Sequence, residues 1–166
     1  KTAMGKADMI RRCVRCFQCY PGTMEHKTDI PFEIRFSPEE KARIINPASM
    51  GRCAINPKSN FRVYPERYPI PENPRNVLVV GGGVAGLQAA LTAYERGNQV
   101  TLAESGDVLG GILNFTDNDI DKIDLRNAKN VLIKEVLQSK VNILLNTTVT
   151  PAFLKKTMPD VLILAL

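Results

Sequence analysis

The second half of the chain alternates short apolar runs with longer stretches in which apolar residues recur at helical spacing. The run Val77 to Val80 predicts a buried strand, the stretch Val84 to Arg96 a helix, and Gln99 to Ala103 a second strand. Strands joined by helical crossovers in this way are typical of an α/β fold with a parallel sheet. We therefore predict an α/β domain over residues 76–166.

The same alternation continues to the end of the sequence. The further predicted elements are a helix at about 125–138, strands at 142–145, 148–149 and 161–166, and a short helix at 151–157. The last apolar run reaches Leu166, and residue 1 is lysine rather than methionine. We therefore expect both ends of the chain to be cut from a longer protein, so that the domain is incomplete.

Residues 1–75 have a different composition. Nine of the eleven prolines lie there, and the stretch from Tyr64 to Pro74 contains too many of them for a helix or a central strand. The segment Ser37-Pro38-Glu39-Glu40 predicts a short helix through about Ile45, because it offers a serine cap and a proline at the first helical position. We divide the chain into an irregular arm with a proline-rich connector, 1–75, and the α/β domain, 76–166.

The net charge of +5 is concentrated in the arm. Residues 1–75 carry 14 basic and 8 acidic side chains, whereas residues 76–166 carry 8 and 9. The basic residues are scattered and no recognition motif accompanies them, so the charge does not indicate nucleic-acid binding. No apolar run approaches the roughly 20 residues of a membrane span, and the N-terminus lacks the apolar stretch of a signal peptide. We expect a cytoplasmic setting without a membrane partner.

A glycine-rich fingerprint, Gly81-Gly82-Gly83-Val84-Ala85-Gly86, stands between the first predicted strand and helix. In a Rossmann-like fold Gly81 allows the tight turn, Gly83 lets the backbone approach a pyrophosphate, and Gly86 permits close helix–strand packing. The N–H groups of Val84 and Ala85 open the helix toward the phosphates. This strand–turn–helix context predicts a Rossmann-like FAD- or NAD(P)-binding domain.

Glu104 ends the second predicted strand, 18 residues after Gly86, where a carboxylate accepts hydrogen bonds from a ribose diol. It would repel a 2′-phosphate, so the fingerprint leaves NAD and FAD open. The pair Gly110-Gly111, with the segments 146–149 and 159–165, resembles elements of flavin-binding domains in the glutathione-reductase-like group. That resemblance implies FAD or its ADP half, with Gly111 and Val149 among the binding residues.

Four cysteines lie upstream of the fingerprint: Cys13, Cys16 and Cys19 at two-residue intervals, then Cys53. In a reducing compartment such cysteines are more often metal ligands or catalytic groups than disulfides. Soft, anionic thiolates suit an iron–sulfur cluster. Zinc, with His26 as an alternative donor, and free structural thiols remain open on the residues alone.

The cysteine series, the Cys53-Ala-Ile-Asn-Pro57 segment, the proline-rich connector and the flavin-type fingerprint together resemble the C-terminal half of the old-yellow-enzyme-related iron–sulfur flavoproteins. That group includes 2,4-dienoyl-CoA reductase, trimethylamine dehydrogenase and enoate reductase. The resemblance implies that Cys13, Cys16, Cys19 and Cys53 hold a [4Fe–4S] cluster. The 33 residues between Cys19 and Cys53 are a longer stretch than in that family.

By the same resemblance, the intact protein would be an NAD(P)H-dependent flavin and iron–sulfur oxidoreductase that reduces activated C=C bonds. This chain would relay electrons between FAD and the FMN of a barrel elsewhere in the protein. It would contribute no catalytic side chain and would be inactive alone. Its partners would be that barrel, the remaining FAD and nicotinamide-binding domain, and a small-molecule substrate. Three alternatives stay in view. They are a trimethylamine-dehydrogenase-like protein holding only ADP, a glutamate-synthase-like small subunit, which would need more cysteines than these four, and a zinc-stabilised nucleotide-binding module without a redox role.

Overall fold

The computed structural model describes residues 5–16, 53–56 and 70–166. In the last range, four strands and three α-helices alternate. They are β1 (Asn76–Val80), α1 (Val84–Glu95), β2 (Gln99–Ala103), α2 (Ile123–Leu137), β3 (Asn142–Leu144), α3 (Pro151–Thr157) and β4 (Val161–Leu164). Two 3-10 helices, Gly111–Asn118 and Ile120–Lys122, connect β2 to α2.

The four strands form one parallel sheet in the order β3-β2-β1-β4. In the register, Leu78 of β1 lies opposite Thr101 of β2 and Leu162 of β4. The chain thus reverses its direction of winding beside β1, the strand that leads into the glycine turn. In open α/β sheets, ligands bind outside the carboxyl ends of the strands at such a switch point.

The core lies between the sheet and the two longer helices. Val79, Leu87, Leu102 and Val136 are fully buried there, each from a different element. Fully burying a side chain of this size stabilises the fold by about 1.5–3 kcal/mol. The remaining buried members of the cluster are Val77, Ala90, Leu91, Val100, Leu132 and Val141. The helical recurrence of apolar residues therefore corresponds to the faces of α1 and α2 that pack on the sheet.

The structure confirms the α/β class and the Rossmann-like parallel sheet. Each predicted helix and strand of this domain is present within a few residues, except the strand at Thr148–Val149. Those two residues follow β3 in an irregular segment without strand pairing. The 3-10 helices before α2 were not predicted, because residues 111–122 lack a regular apolar repeat.

Residues 5–12 belong to the same compact unit as residues 70–166, although the sequence division assigned them to the arm. Met9 is buried, and Arg11 forms an ion pair with Glu135 of α2 and a 3.1 Å hydrogen bond to Gln88 Oε1 of α1. Residues 13–16 and 53–56 fall in a second unit. The predicted Ser37 helix and most of the proline-rich connector lie outside the described residues.

Within the described part of the chain, no helix is both long and apolar enough to cross a membrane.

Candidate functional site

The turn between β1 and α1 is built around Gly81. Its φ of +105° lies in a region that side chains rarely adopt. The Gly81 N–H donates to the Ala103 carbonyl at 2.8 Å, which fixes the turn to the end of β2. A Cβ at residue 81 would also overlap the Ala165 carbonyl oxygen. The backbone therefore requires glycine here whether or not a ligand binds.

Gly86, in the first turn of α1, faces the same turn from the other side. A Cβ at this position would overlap the Gly81 carbonyl oxygen and lie 3.4 Å from Ala165 Cβ. Glycine thus lets the helix approach the turn more closely than any other residue would. This close packing brings the start of α1 directly behind the glycine turn.

Gly83 differs from both of these glycines. It is the N-cap of α1 with φ −72°, an ordinary conformation, and a Cβ there would meet no protein atom within 4 Å. Protein geometry therefore does not demand glycine, and the space beside it is open. The first N–H groups of a helix lack partners within the helix, and no side chain caps α1. This open space at a helix N-terminus fits a pyrophosphate, with Val84 and Ala85 exposed beside it.

Glu104 follows β2 and holds the turn in place through its carboxylate. Oε2 accepts a 2.6 Å hydrogen bond from the Gly82 N–H, and Oε1 accepts from the Gly106 N–H at 2.7 Å and from the Ser105 hydroxyl at 3.1 Å. The Gly106 and Gly82 backbone hydrogen bonds lower the pKa of Glu104 below its ordinary value, against the opposing effect of burial. The carboxylate is therefore charged near neutral pH. Oε2, which accepts only the Gly82 hydrogen bond among these three, has a further lone pair that a ribose hydroxyl could use.

The second glycine pair packs against the first glycine turn. The Gly110 N–H donates to the Gly82 carbonyl at 2.9 Å. Gly111 has φ +55°, and a Cβ on it would lie 2.9 Å from Gly83 Cα. Gly82 and Gly110 were absent from the predicted binding residues, although both are glycines of the two motifs. The hydrogen bond between Gly82 and Gly110 connects the two motifs, and it depends on tertiary structure that the spacing of the glycines in the sequence does not reveal.

The segment after β3 runs beside the end of β2. The Thr147 N–H donates to the Glu104 carbonyl and the Asn146 N–H to the Gly106 carbonyl, both at 2.8 Å. Val149, half-buried, lies two residues further along. The structure therefore brings the neighbours of Val149 to Glu104, while contact of Val149 with a cofactor stays a prediction.

The cysteines are described only in part. Cys13 and Cys16 are exposed, and Cys53 is half-buried. The Arg15 N–H donates to Cys13 Sγ at 3.3 Å. Among the residues with described positions, no three or more His, Cys, Asp or Glu side chains form a group that could hold a metal ion. Cys19 and His26 lie outside the described residues, so the four-cysteine site stays a prediction.

The segment that contains the glycine turn has a match among protein families. Residues 76–128, which include both glycine motifs and Glu104, match the family model described as an FAD binding domain. The chain carries an FAD-binding domain. The family model thus covers β1, α1, β2 and the start of α2, the elements that build the turn.

Curated relatives of the chain include oxidoreductases. The NADH oxidase of Thermoanaerobacter brockii is 29% identical over 99% of the chain, and the bilirubin reductase of Mediterraneibacter gnavus is 30% identical over 68% of it. The chain spans 22% of the first protein and 18% of the second.

Solved structures agree on the fold. A 2-naphthoyl-CoA reductase in complex with 2-naphthoyl-CoA matches 70% of this chain with a TM-score of 0.62 and 30% identity, and the match covers 18% of the reductase. Histamine dehydrogenase from Rhizobium sp. 4-9 matches 99% of this chain and 23% of its own, with a TM-score of 0.73 and 24% identity. The domain thus shares its fold with these structures, and it has relatives among oxidoreductases.

Replacing Glu104 with glutamine should weaken the joint between the glycine turn and β2. A glutamine side chain has one acceptor oxygen, so one of the Gly82 and Gly106 N–H groups loses its partner, at a cost of about 1 kcal/mol near neutral pH. Because folding lowers the Glu104 pKa, its contribution is present above the ordinary value of 4.5 and is lost as the pH falls below it.

Urea unfolding of both proteins at several pH values measures this difference. We expect the difference in the free energy of unfolding between the parent and Glu104→Gln to become smaller as the pH falls below 4.5. A gap independent of pH would show that the charge of Glu104 does not act on the turn. Lys156→Gln, which removes a charge on the short helix α3, is the control. It should leave the dependence of the free energy of unfolding on pH unchanged.

Proposed function

We propose that this chain is the FAD-binding and electron-relay part of an NAD(P)H-dependent flavin and iron–sulfur oxidoreductase. One observation carries the nucleotide half of the proposal: the open space at Gly83, at the N-terminus of α1 and beside the charged Glu104. A pyrophosphate would lie against the first N–H groups of α1, and the Glu104 carboxylate would accept from the adenosine ribose. The homologous oxidoreductases support a flavin redox role for this site.

The cysteines supply the second half of the proposal. Cys13, Cys16, Cys19 and Cys53 would hold one [4Fe–4S] cluster, because four thiolates are the ligand set such clusters take. FAD provides two-electron chemistry and an iron–sulfur cluster one-electron chemistry when each is bound. The residues of this chain would bind and orient the adenosine half of the flavin, and the Arg15 N–H donates to Cys13 Sγ.

The names of the relatives support an unsaturated substrate for the intact protein. They include reductases of bilirubin, cinnamate and 2-naphthoyl-CoA, compounds that contain conjugated C=C bonds. The NADH oxidase, which matches nearly the whole chain, supports a nicotinamide as the electron donor. We therefore propose reduction of an activated C=C bond as the reaction of the intact protein, with FMN in a barrel that is no part of this chain.

A second candidate function has its own support. Histamine dehydrogenase and the 6-hydroxypseudooxynicotine amine oxidase of Pseudomonas geniculata N1 match 99% and 98% of the chain, and a dimethylglycine/sarcosine dehydrogenase is 34% identical over 55% of it. In an amine dehydrogenase of the trimethylamine dehydrogenase type, the domain would hold ADP rather than FAD.

Nucleotide binding tests these proposals directly. Calorimetric titration of the purified chain with FAD, ADP and NADPH should give binding of the first two and at least tenfold weaker binding of NADPH, since Glu104 repels a 2′-phosphate. Because this chain holds only the adenosine half of the flavin, FAD and ADP should bind it with similar Kd values, and binding of neither nucleotide would refute the nucleotide site. Extraction of the nucleotide from the intact protein separates the two functions: FAD favours the flavin role, and ADP favours the amine-dehydrogenase type.

A further inference from the structure

Lys129 is a buried charge in α2. Only 3% of its side chain is exposed, and Nζ lies 2.6 Å from each carboxylate oxygen of Asp117 and 3.2 Å from Asn114 Oδ1. A buried ammonium is costly unless it is paired and hydrogen-bonded, as it is here. None of these three side chains belongs to the glycine turn or to the cysteine series.

Both partners of Lys129 belong to residues 109–118, which we call the glycine-pair segment. This segment has a second anchor on α2, because Arg126 Nη1 donates to the carbonyls of Thr116 and Asp117 at 3.1 and 3.2 Å. Thr116 is fully buried, and its hydroxyl donates to the Leu113 carbonyl. The C-terminal half of the segment is therefore held to α2 by polar side chains.

The other half of the segment touches the nucleotide site. The Gly110 N–H donates to Gly82, and Gly111 packs on Gly83. The side chain of Lys129 lies directly behind this contact, since a Cβ on Gly110 would be 3.0 Å from Lys129 Cδ and would overlap Asn114 Oδ1. Lys129 thus connects α2 to the backbone that forms one wall of the glycine turn.

We propose that Lys129 is a positioning residue for the FAD pyrophosphate. It holds Gly110 and Gly111 against Gly82 and Gly83, so that the backbone at the open space keeps the shape that the phosphates require. This inference rests on the proposed FAD site. Lys129 does not touch the cofactor in this role; it acts through Asn114 and the second glycine pair.

Because Asp117 is exposed, we expect the loss of the Lys129 ammonium to have only a local effect on the structure. Its side chain is 48% exposed, so water can solvate the carboxylate once the lysine is gone. The apolar core between the sheet and the helices does not include the pair. Loss of the ammonium should therefore release the glycine-pair segment while β1, β2 and the two long helices stay packed.

The test compares Lys129→Met with Lys134→Met. Methionine keeps most of the length and loses the charge, and Lys134 lies on the same helix in a more exposed ion pair with Asp8. We expect Lys129→Met to raise the Kd for both FAD and ADP at least tenfold, and Lys134→Met to leave both within about twofold. In the nucleotide-free protein, amide hydrogen exchange at Gly110 should accelerate in Lys129→Met alone, a local effect that general destabilisation would not produce.

Asp117 provides the second pair of variants in case Lys129→Met does not fold. Asp117→Ala removes the more exposed partner of Lys129, and it should weaken ADP binding and speed amide exchange at Gly110. Asp117→Asn keeps an acceptor for Nζ, so it should keep most of the ADP affinity and most of the slow exchange of the parent. A parent protein that binds neither FAD nor ADP refutes the proposed function. A parent that binds them, with Lys129→Met and Asp117→Ala binding equally well, refutes only the positioning role.

Discussion

Replacing Gly83 with valine should abolish FAD and ADP binding and leave the domain folded. The backbone at Gly83 has an ordinary φ of −72°, and no protein atom lies within 4 Å of the position a Cβ would take. The valine side chain therefore projects into the space that we assign to the pyrophosphate. We expect the Kd for ADP to rise on the order of 100-fold or more, equivalent to about 2.7 kcal/mol.

Gly83→Ala and Gly86→Ala separate binding from folding in the same turn. Gly83→Ala adds one methyl group to the open space and should weaken the binding of ADP with no loss of folding stability. Gly86→Ala places its methyl on the Gly81 carbonyl oxygen, so α1 must move, and we expect a loss of about 1–3 kcal/mol in the free energy of unfolding.

Calorimetric titration with ADP and urea unfolding measure the two effects. A Gly83→Val protein that binds ADP as tightly as its parent would show that the fingerprint is only a structural turn. Equal losses of stability in the Gly83 and Gly86 variants would contradict the difference in their surroundings.

Much of this domain follows from local pattern. The apolar run Val77 to Val80 is typical of a strand buried on both faces, and the glycines after it are typical of a tight turn into a helix. The 3-10 helices at 111–122 could not be predicted in this way. They are held by single polar contacts, such as the Arg126 bonds to Thr116 and Asp117, rather than by a repeating apolar face.

Lys129 shows the same limit within a predicted helix. The apolar spacing of α2 correctly places Ala128, Leu132 and Val136 in the core, and a lysine next to Ala128 would ordinarily be solvated. Lys129 is buried because Asp117 and Asn114, which precede α2 in the sequence, fold back and contact its ammonium group. The path of the segment between them and Lys129 brings these side chains there, and the apolar periodicity does not predict that path.

The cysteine series provides the second large expected effect. After anaerobic supply of iron and sulfide, the parent should gain about four irons per chain and a broad visible charge-transfer absorption. Serine is a hard oxygen ligand and a poor substitute for a thiolate, so Cys53→Ser should lose most of both signals. The same loss is expected for serine at Cys13, Cys16 or Cys19, because a cubane cluster uses all four thiolates.

His26→Ala distinguishes this cluster from a zinc site. Zinc accepts three cysteines and one histidine, so a zinc site that used His26 would lose its metal in this variant, whereas a four-cysteine cluster would be unaffected. Metal analysis of both proteins before and after reconstitution gives the answer without any assay of activity. Zinc that resists replacement by iron, or a Cys53→Ser protein with a full cluster, would contradict the assignment. Since thiolates bind both metals, only the combination of metal content, absorption and the His26 control separates an electron relay from a structural site.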